Sequence, residues 1–166
     1  MLVPAIDAGQ LVWDLRKQHD PSAAAGIPPH VTLMFPFIPP CDLTDPIIDT
    51  LEALISQTTA FEFLLTRVRQ FEQGVVYLVP EPAAPFARLT TEIGSRFGVL
   101  PFGGAFGDEP VPHLTVAIVE SGSEREQLVD QLVPRLPITL RAEEAWLMVG
   151  TNSSSWKVVR QMRFRG

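Results

Sequence analysis

The chain has 166 residues, of which 46% are hydrophobic and 19% charged, and a formal net charge of −6. This composition is that of an ordinary globular protein, so disorder is not the default. It also argues against gripping a long nucleic-acid backbone, because non-specific binding there depends on Lys and Arg displacing counterions. No run approaches the ~20 apolar residues of a membrane span. Residues 1–7 carry neither the basic region nor the apolar run of a signal peptide. Cys41 is the single cysteine, which fits a reducing compartment. The expectation is one cytoplasmic, monomeric domain over residues 1–166, built as two small lobes.

Leu2 to Ile6 reads as a strand. Leu11, Val12, Trp13 and Leu15 lie among the polar Asp14, Arg16 and Lys17, the spacing of a helix with one buried face. That helix should stop at His19-Asp20-Pro21, since the residue before proline is pushed out of helical geometry. Ser22 to Pro28 reads as a loop. Pro29-His30-Val31-Thr32-Leu33 follows as a strand, closed by Pro36, Pro39 and Pro40. The next helix runs from an N-cap candidate, Thr44, to about Gln57, with Ile47, Ile48, Leu51, Leu54 and Ile55 inward. Phe61 to Phe71 alternates as a strand, and Gln73-Gly74 turns the chain into Val75–Val79. A helix from Pro82 to Phe97 leads to a loop rich in Gly, Pro and Phe, and then to Pro112-His113-Leu114-Thr115-Val116. A helix from Ser123 to about Val133 and strands over 138–149 and 156–164 complete the chain. Each half therefore reads strand, helix, His strand, helix, strand. The fold class expected is α+β: a bilobal, pseudo-twofold duplication with two antiparallel-type sheets facing a central cleft and helices on the outer faces.

The two Pro-His-apolar-Thr-apolar segments stand 83 residues apart, half the chain. Residues two apart in a strand share a face, so His30 and Thr32 point to one side, and Val31 and Leu33 to the other. His113 and Thr115 repeat the arrangement. From average residue usage, one such match arises in roughly a few per cent of chains of this length, and two far more rarely. Histidine exchanges protons near neutral pH, and two facing imidazoles can serve as general base and general acid. A hydroxyl beside each can donate to an anionic oxygen held between them. The combination suits a phosphodiester and calls for no metal or other cofactor.

The motifs resemble those of the two-histidine (2H) phosphoesterase superfamily, in the branch containing 2'-5' RNA ligases and 2',3'-cyclic phosphodiesterases. The likeness takes in Leu15-Arg16 through Asp20-Pro21, Gly26 to Leu33, Pro36-Phe37, Phe71 to Leu78 and Pro112 to Ala117. The resemblance implies a bilobal fold with the catalytic residues between the lobes. By position it makes His30 and His113 the acid–base pair and Thr32 and Thr115 the phosphate donors. It also implies a 2',3'-cyclic phosphodiesterase acting on a nucleotide, an RNA end or a related small metabolite. RNA 2'-5' ligation, or a non-catalytic nucleotide-binding or RNA-end-binding module, are the alternatives.

Other residues divide between two readings. Phe102 and Phe106, on the glycine-rich loop, either stack on a base or tuck into the core. Tyr77 and Trp146 are cleft wall or base platform. Arg67 and Arg69 share a strand face, from which one or both, Arg69 foremost, reach a phosphate or simply meet solvent. His19 either reaches the cleft as a third polar group or, as expected, is exposed or serves a helix end. Asp108 and Glu109 near His113 lack a second convergent set of metal ligands.

Overall fold

A computed structural model describes residues 1–105, 111–150 and 155–166. The elements, in order, are β1 (Leu2–Pro4), α1 (Gln10–His19), α2 (Pro21–Ala24), β2 (His30–Thr32), α3 (Asp45–Ile55), β3 (Phe61–Gln70), β4 (Val75–Glu81), α4 (Ala84–Phe97), β5 (Leu114–Ile118), α5 (Gly122–Leu132), β6 (Ile138–Ala142), β7 (Glu144–Val149) and β8 (Lys157–Arg163). They form two four-stranded antiparallel sheets, ordered β2-β1-β7-β8 and β5-β4-β3-β6. The architecture is α+β.

Local chemistry accounts for most boundaries. In α3, Pro46 occupies the first turn, where its missing N–H costs nothing, and Ile48, Leu51 and Ile55 form the buried stripe. Gly98 ends α4 in the left-handed region, at φ +66°. The Ser121 hydroxyl accepts the Glu124 N–H and so starts α5. Thr44 sits at the N-cap of α3 without a side-chain capping bond.

Two expectations are corrected. The segment 22–28, read as a loop, opens with the short helix α2, because the Asp20 carboxylate caps the Ser22 N–H and Pro21 takes the first helical position. The segment 138–149, read as one strand, is two strands in different sheets. β6 pairs with β3, whereas β7 pairs with β1 and β8, and the chain changes sheets at Glu143.

The duplication is interlocked rather than serial. Each sheet begins with a His strand at its edge (β2 or β5) beside the strand that precedes it in sequence (β1 or β4). β3, which closes the first half, joins the second sheet, and the β7–β8 hairpin completes the first. One cluster of buried side chains runs through both, including Val3, Val31 and Leu33 with Leu78, Leu114 and Val116. The helices also cross over: α1 packs on β5, while Thr90 of α4 donates from its hydroxyl to the Leu33 carbonyl, at 2.9 Å, just past β2. Neither His strand can therefore shift without disturbing the other half.

Candidate active site

β2 and β5 lie side by side where the two sheets meet. Val31 and Leu114 are fully buried on the core side, and strand alternation turns His30, Thr32 and Thr115 to the cleft. His113 immediately precedes β5. Both imidazoles are anchored alike. His30 Nδ1 lies 2.8 Å from the Pro28 carbonyl and His113 Nδ1 lies 2.8 Å from the Val111 carbonyl. A carbonyl only accepts, so each Nδ1 carries the proton and each Nε2 is left with its lone pair for chemistry. Pro28 and Val111 each precede a proline, Pro29 or Pro112, which holds them extended and fixes where their carbonyls point. That signal was present in the sequence, in the prolines heading both motifs.

Burial pulls both histidines below the ordinary imidazole range. For His30 the desolvation is reinforced by the nearby charge of Arg16 and, more weakly, of the Met1 amino group and His113, against an opposing hydrogen bond to Pro28; it is pushed down to about 3. For His113 desolvation is again the main cause and the Val111 hydrogen bond opposes it. Both rings rest neutral at pH 7, and a bound phosphate anion would draw protons back towards them.

The ring of His113 is held from the side. Phe71 stacks on Tyr77, with centroids 4.2 Å apart, and both rings meet His113 edge-on, at 5.1 and 5.3 Å. Tyr77, only 7% exposed, is a wall against the imidazole and offers no open face to a base. Phe71 has no counterpart among the residues that the sequence singled out by chemistry, because nothing in its spacing separates it from a core aromatic.

Strand register extends the site sideways. Thr115 pairs with Tyr77, and Tyr77 with Arg69. Directly opposed residues share a face, so exposed Arg69 lies two strands, about 10 Å, from Thr115 on the cleft side. A bulge between Leu65 and Arg67 sets this phase, placing Leu65 in the core and Arg67 and Arg69 outside it. Arg67 is paired with Glu81. In the first sheet Thr32 pairs with Leu2, and Leu2 with Trp146. Trp146 is half-buried on the same face, its indole N–H donating to Glu144 at 2.6 Å.

The remaining candidates fall elsewhere. Phe102 is half-buried in a 3-10 turn (Pro101–Gly104), its backbone N–H donating to the Phe35 carbonyl beyond β2. Phe106, Asp108 and Glu109 lie outside the described residues. His19 faces Glu124 at 3.4 Å, near the end of β5 remote from His113. Among the described residues no cluster of His, Cys, Asp or Glu is placed to hold a metal ion, and no helix is long and apolar enough to cross a membrane.

Arg16 is the largest departure from the sequence reading. Grouped there with the polar residues of α1, it is fully buried. Its Nη1 donates to the Thr115 carbonyl at 2.7 Å, and its Nη2 to Ser22 Oγ at 3.1 Å and the Ile27 carbonyl at 3.2 Å. Asp20 neutralises it from 2.6 Å. The signal was periodicity: Arg16 falls four residues after Val12, within the buried stripe.

A model of the 2'-5' RNA ligase superfamily matches residues 3–153. The chain belongs to this superfamily. Relatives within reach include a Bacillus cytotoxicus protein whose name assigns it provisionally to the phosphoesterases, 31% identical over 120 residues, covering 71% of this chain and 67% of that one. A Bacillus anthracis protein named in the same way shows the same identity and coverage. Among solved structures, Escherichia coli LigT complexed with NADP+ superposes with a TM-score of 0.56 at 17% identity, over 99% of this chain and 97% of that one. A crystal structure described as a phosphoesterase gives 0.58 at 17%, over 99% and 98%. As a member of the 2'-5' RNA ligase superfamily, the chain is a phosphoesterase-type enzyme with the LigT-like fold.

Proposed function

We propose that the protein is a phosphodiesterase that opens 2',3'-cyclic phosphates on a nucleotide, an RNA end or a related small metabolite, using His30 and His113 as its acid–base pair. The observation that carries this reading is the matched anchoring of the two imidazoles, each with Nδ1 tied to the carbonyl two residues back and Nε2 left for chemistry. The cyclic phosphate sits between them, its non-bridging oxygens accepting from the Thr32 and Thr115 hydroxyls and from the protonated imidazole. One neutral Nε2 takes a proton from water as the water oxygen bonds to phosphorus. The bond from phosphorus to one ribose oxygen breaks, and that oxygen takes the proton of the other imidazole. The two rings finish with protonation states exchanged and reset through solvent. All proton transfers in this scheme are met by the two histidines.

Outside the phosphate, Trp146, two strands from Thr32 on the same face, suits a base, and Arg69, two strands from Thr115, suits a further phosphate. The superfamily's description keeps a second reading in play. RNA 2'-5' ligation would use the same pair, with an RNA hydroxyl in place of water. The test is incubation with 2',3'-cyclic nucleotides in excess chelator. Turnover is expected, and His30→Ala or His113→Ala should lower it by roughly 10²–10⁴-fold. Undiminished turnover in either variant would refute the assignment.

A further inference from the structure

The two halves present their histidines almost identically, yet the helices that cross over to brace them differ. α4 braces the chain after β2 with a neutral hydroxyl, Thr90. α1 braces β5 with a buried cation, Arg16, which also grips the loop leading to His30 through Ser22 and Ile27. Ile27 adjoins Pro28, whose carbonyl anchors the His30 ring. One guanidinium thus connects the backbone of Thr115, from the second half, with the segment that orients His30, from the first. A rigid fork suits this task, because its donors diverge in a fixed plane towards three acceptors.

We propose that Arg16 is a positioning residue that also breaks the symmetry of the site: it sets the gap between the two halves of the phosphate cradle, and its charge on the His30 side makes His30 the proton acceptor and His113 the proton donor. The inference rests on the phosphodiesterase reading for its consequence in catalysis. The titratable and charged groups bearing on His30 are few. α1 supplies Arg16 and Asp20, the start of β1 supplies the Met1 amino group, and the segment before β5 supplies His113. On α4, Arg88 and Glu92 face one another at 3.8 Å on the exposed side. Asp20 holds Arg16 in place, but the guanidinium is the member of that pair whose charge reaches His30. His113 is lowered by burial, against its hydrogen bond to the Val111 carbonyl. Cationic surroundings favour the neutral ring, which accepts a proton, and the ring spared that field is the one that carries a proton into the reaction.

The experiment follows both imidazoles by NMR titration in the whole protein and compares kcat/KM against pH. In Arg16→Gln the His30 resonance should titrate higher by about one unit, as expected on removing a neighbouring like charge, while His113 stays in place. The acidic limb of the rate profile should rise with His30 and the alkaline limb should stay. Arg16→Lys keeps the charge and loses the fork, so the His30 titration should hold while kcat falls. If Arg16→Gln does not fold, Arg16→Gln/Asp20→Asn replaces the pair by neutral hydrogen-bonding groups and should show the same shift. Equal movement of both histidines, no movement of either, or displacement of the alkaline limb instead would overturn the proposal. The titration needs no turnover, so a wild-type protein inactive on cyclic phosphates would remove the proposed reaction while leaving the test of Arg16 intact.

Discussion

Acid should destabilise this fold through His30 in a way that can be isolated. In the folded chain His30 is held down to about 3, whereas an unfolded histidine titrates near 6.5. Between those values unfolding takes up a proton, so the stability contributed by the neutral ring is complete above about pH 6.5 and is lost as the pH falls towards 3. Integrating the proton uptake from pH 7 to pH 5 gives a loss of about 2 kcal/mol from this residue alone. Urea unfolding followed by tryptophan fluorescence, at pH 7 and pH 5, measures it against His30→Gln, which cannot titrate. The wild type should lose about 2 kcal/mol more than the variant, with the same denaturant slope in each. Titration of His113 and of the Met1 amino group is present in both proteins and largely cancels. Equal losses would mean that the His30 ring is not kept neutral by burial beside Arg16, and the electrostatic description of the site would fall.

Phe71→Ala removes the ring that stacks on Tyr77 and abuts His113. It should cost about 1–2 kcal/mol of stability by urea melts and lower kcat at temperatures where the variant remains folded. Thr90→Val leaves the Leu33 carbonyl without its donor. A loss of about 1–3 kcal/mol is expected, largely recovered by Thr90→Ser. Arg69→Ala should raise KM for a dinucleotide bearing a 2',3'-cyclic end more than for the mononucleotide, with kcat preserved. Equal effects on the two substrates would show that Arg69 meets no second phosphate.

The sequence exposed the chemistry of the centre better than its supports. The His-x-Thr repeats were legible because the period of two in a strand decides facing without tertiary knowledge, and the half-chain separation announced a duplication. Most elements followed from apolar periodicity and proline punctuation. The crossing of β3 into the second sheet and of β7–β8 into the first was not legible, since strand pairing is a long-range choice that local pattern does not specify. The burial of Arg16 is not legible, since a charged side chain in a helix is normally solvated. Only the acceptors gathered from residues 20, 22, 27 and 115 make its burial tolerable. Sequence alone leaves Tyr77 between platform and wall, because its stack with Phe71 against His113 depends on a hairpin register that no residue count supplies.

A crystal structure of the protein soaked with inorganic phosphate bears most directly on the paired-histidine centre. One phosphate is expected within hydrogen-bond distance of Nε2 of both His30 and His113 and of the hydroxyls of Thr32 and Thr115. A phosphate reaching the residues of only one strand, or two imidazoles too far apart to share a single phosphorus, would contradict it.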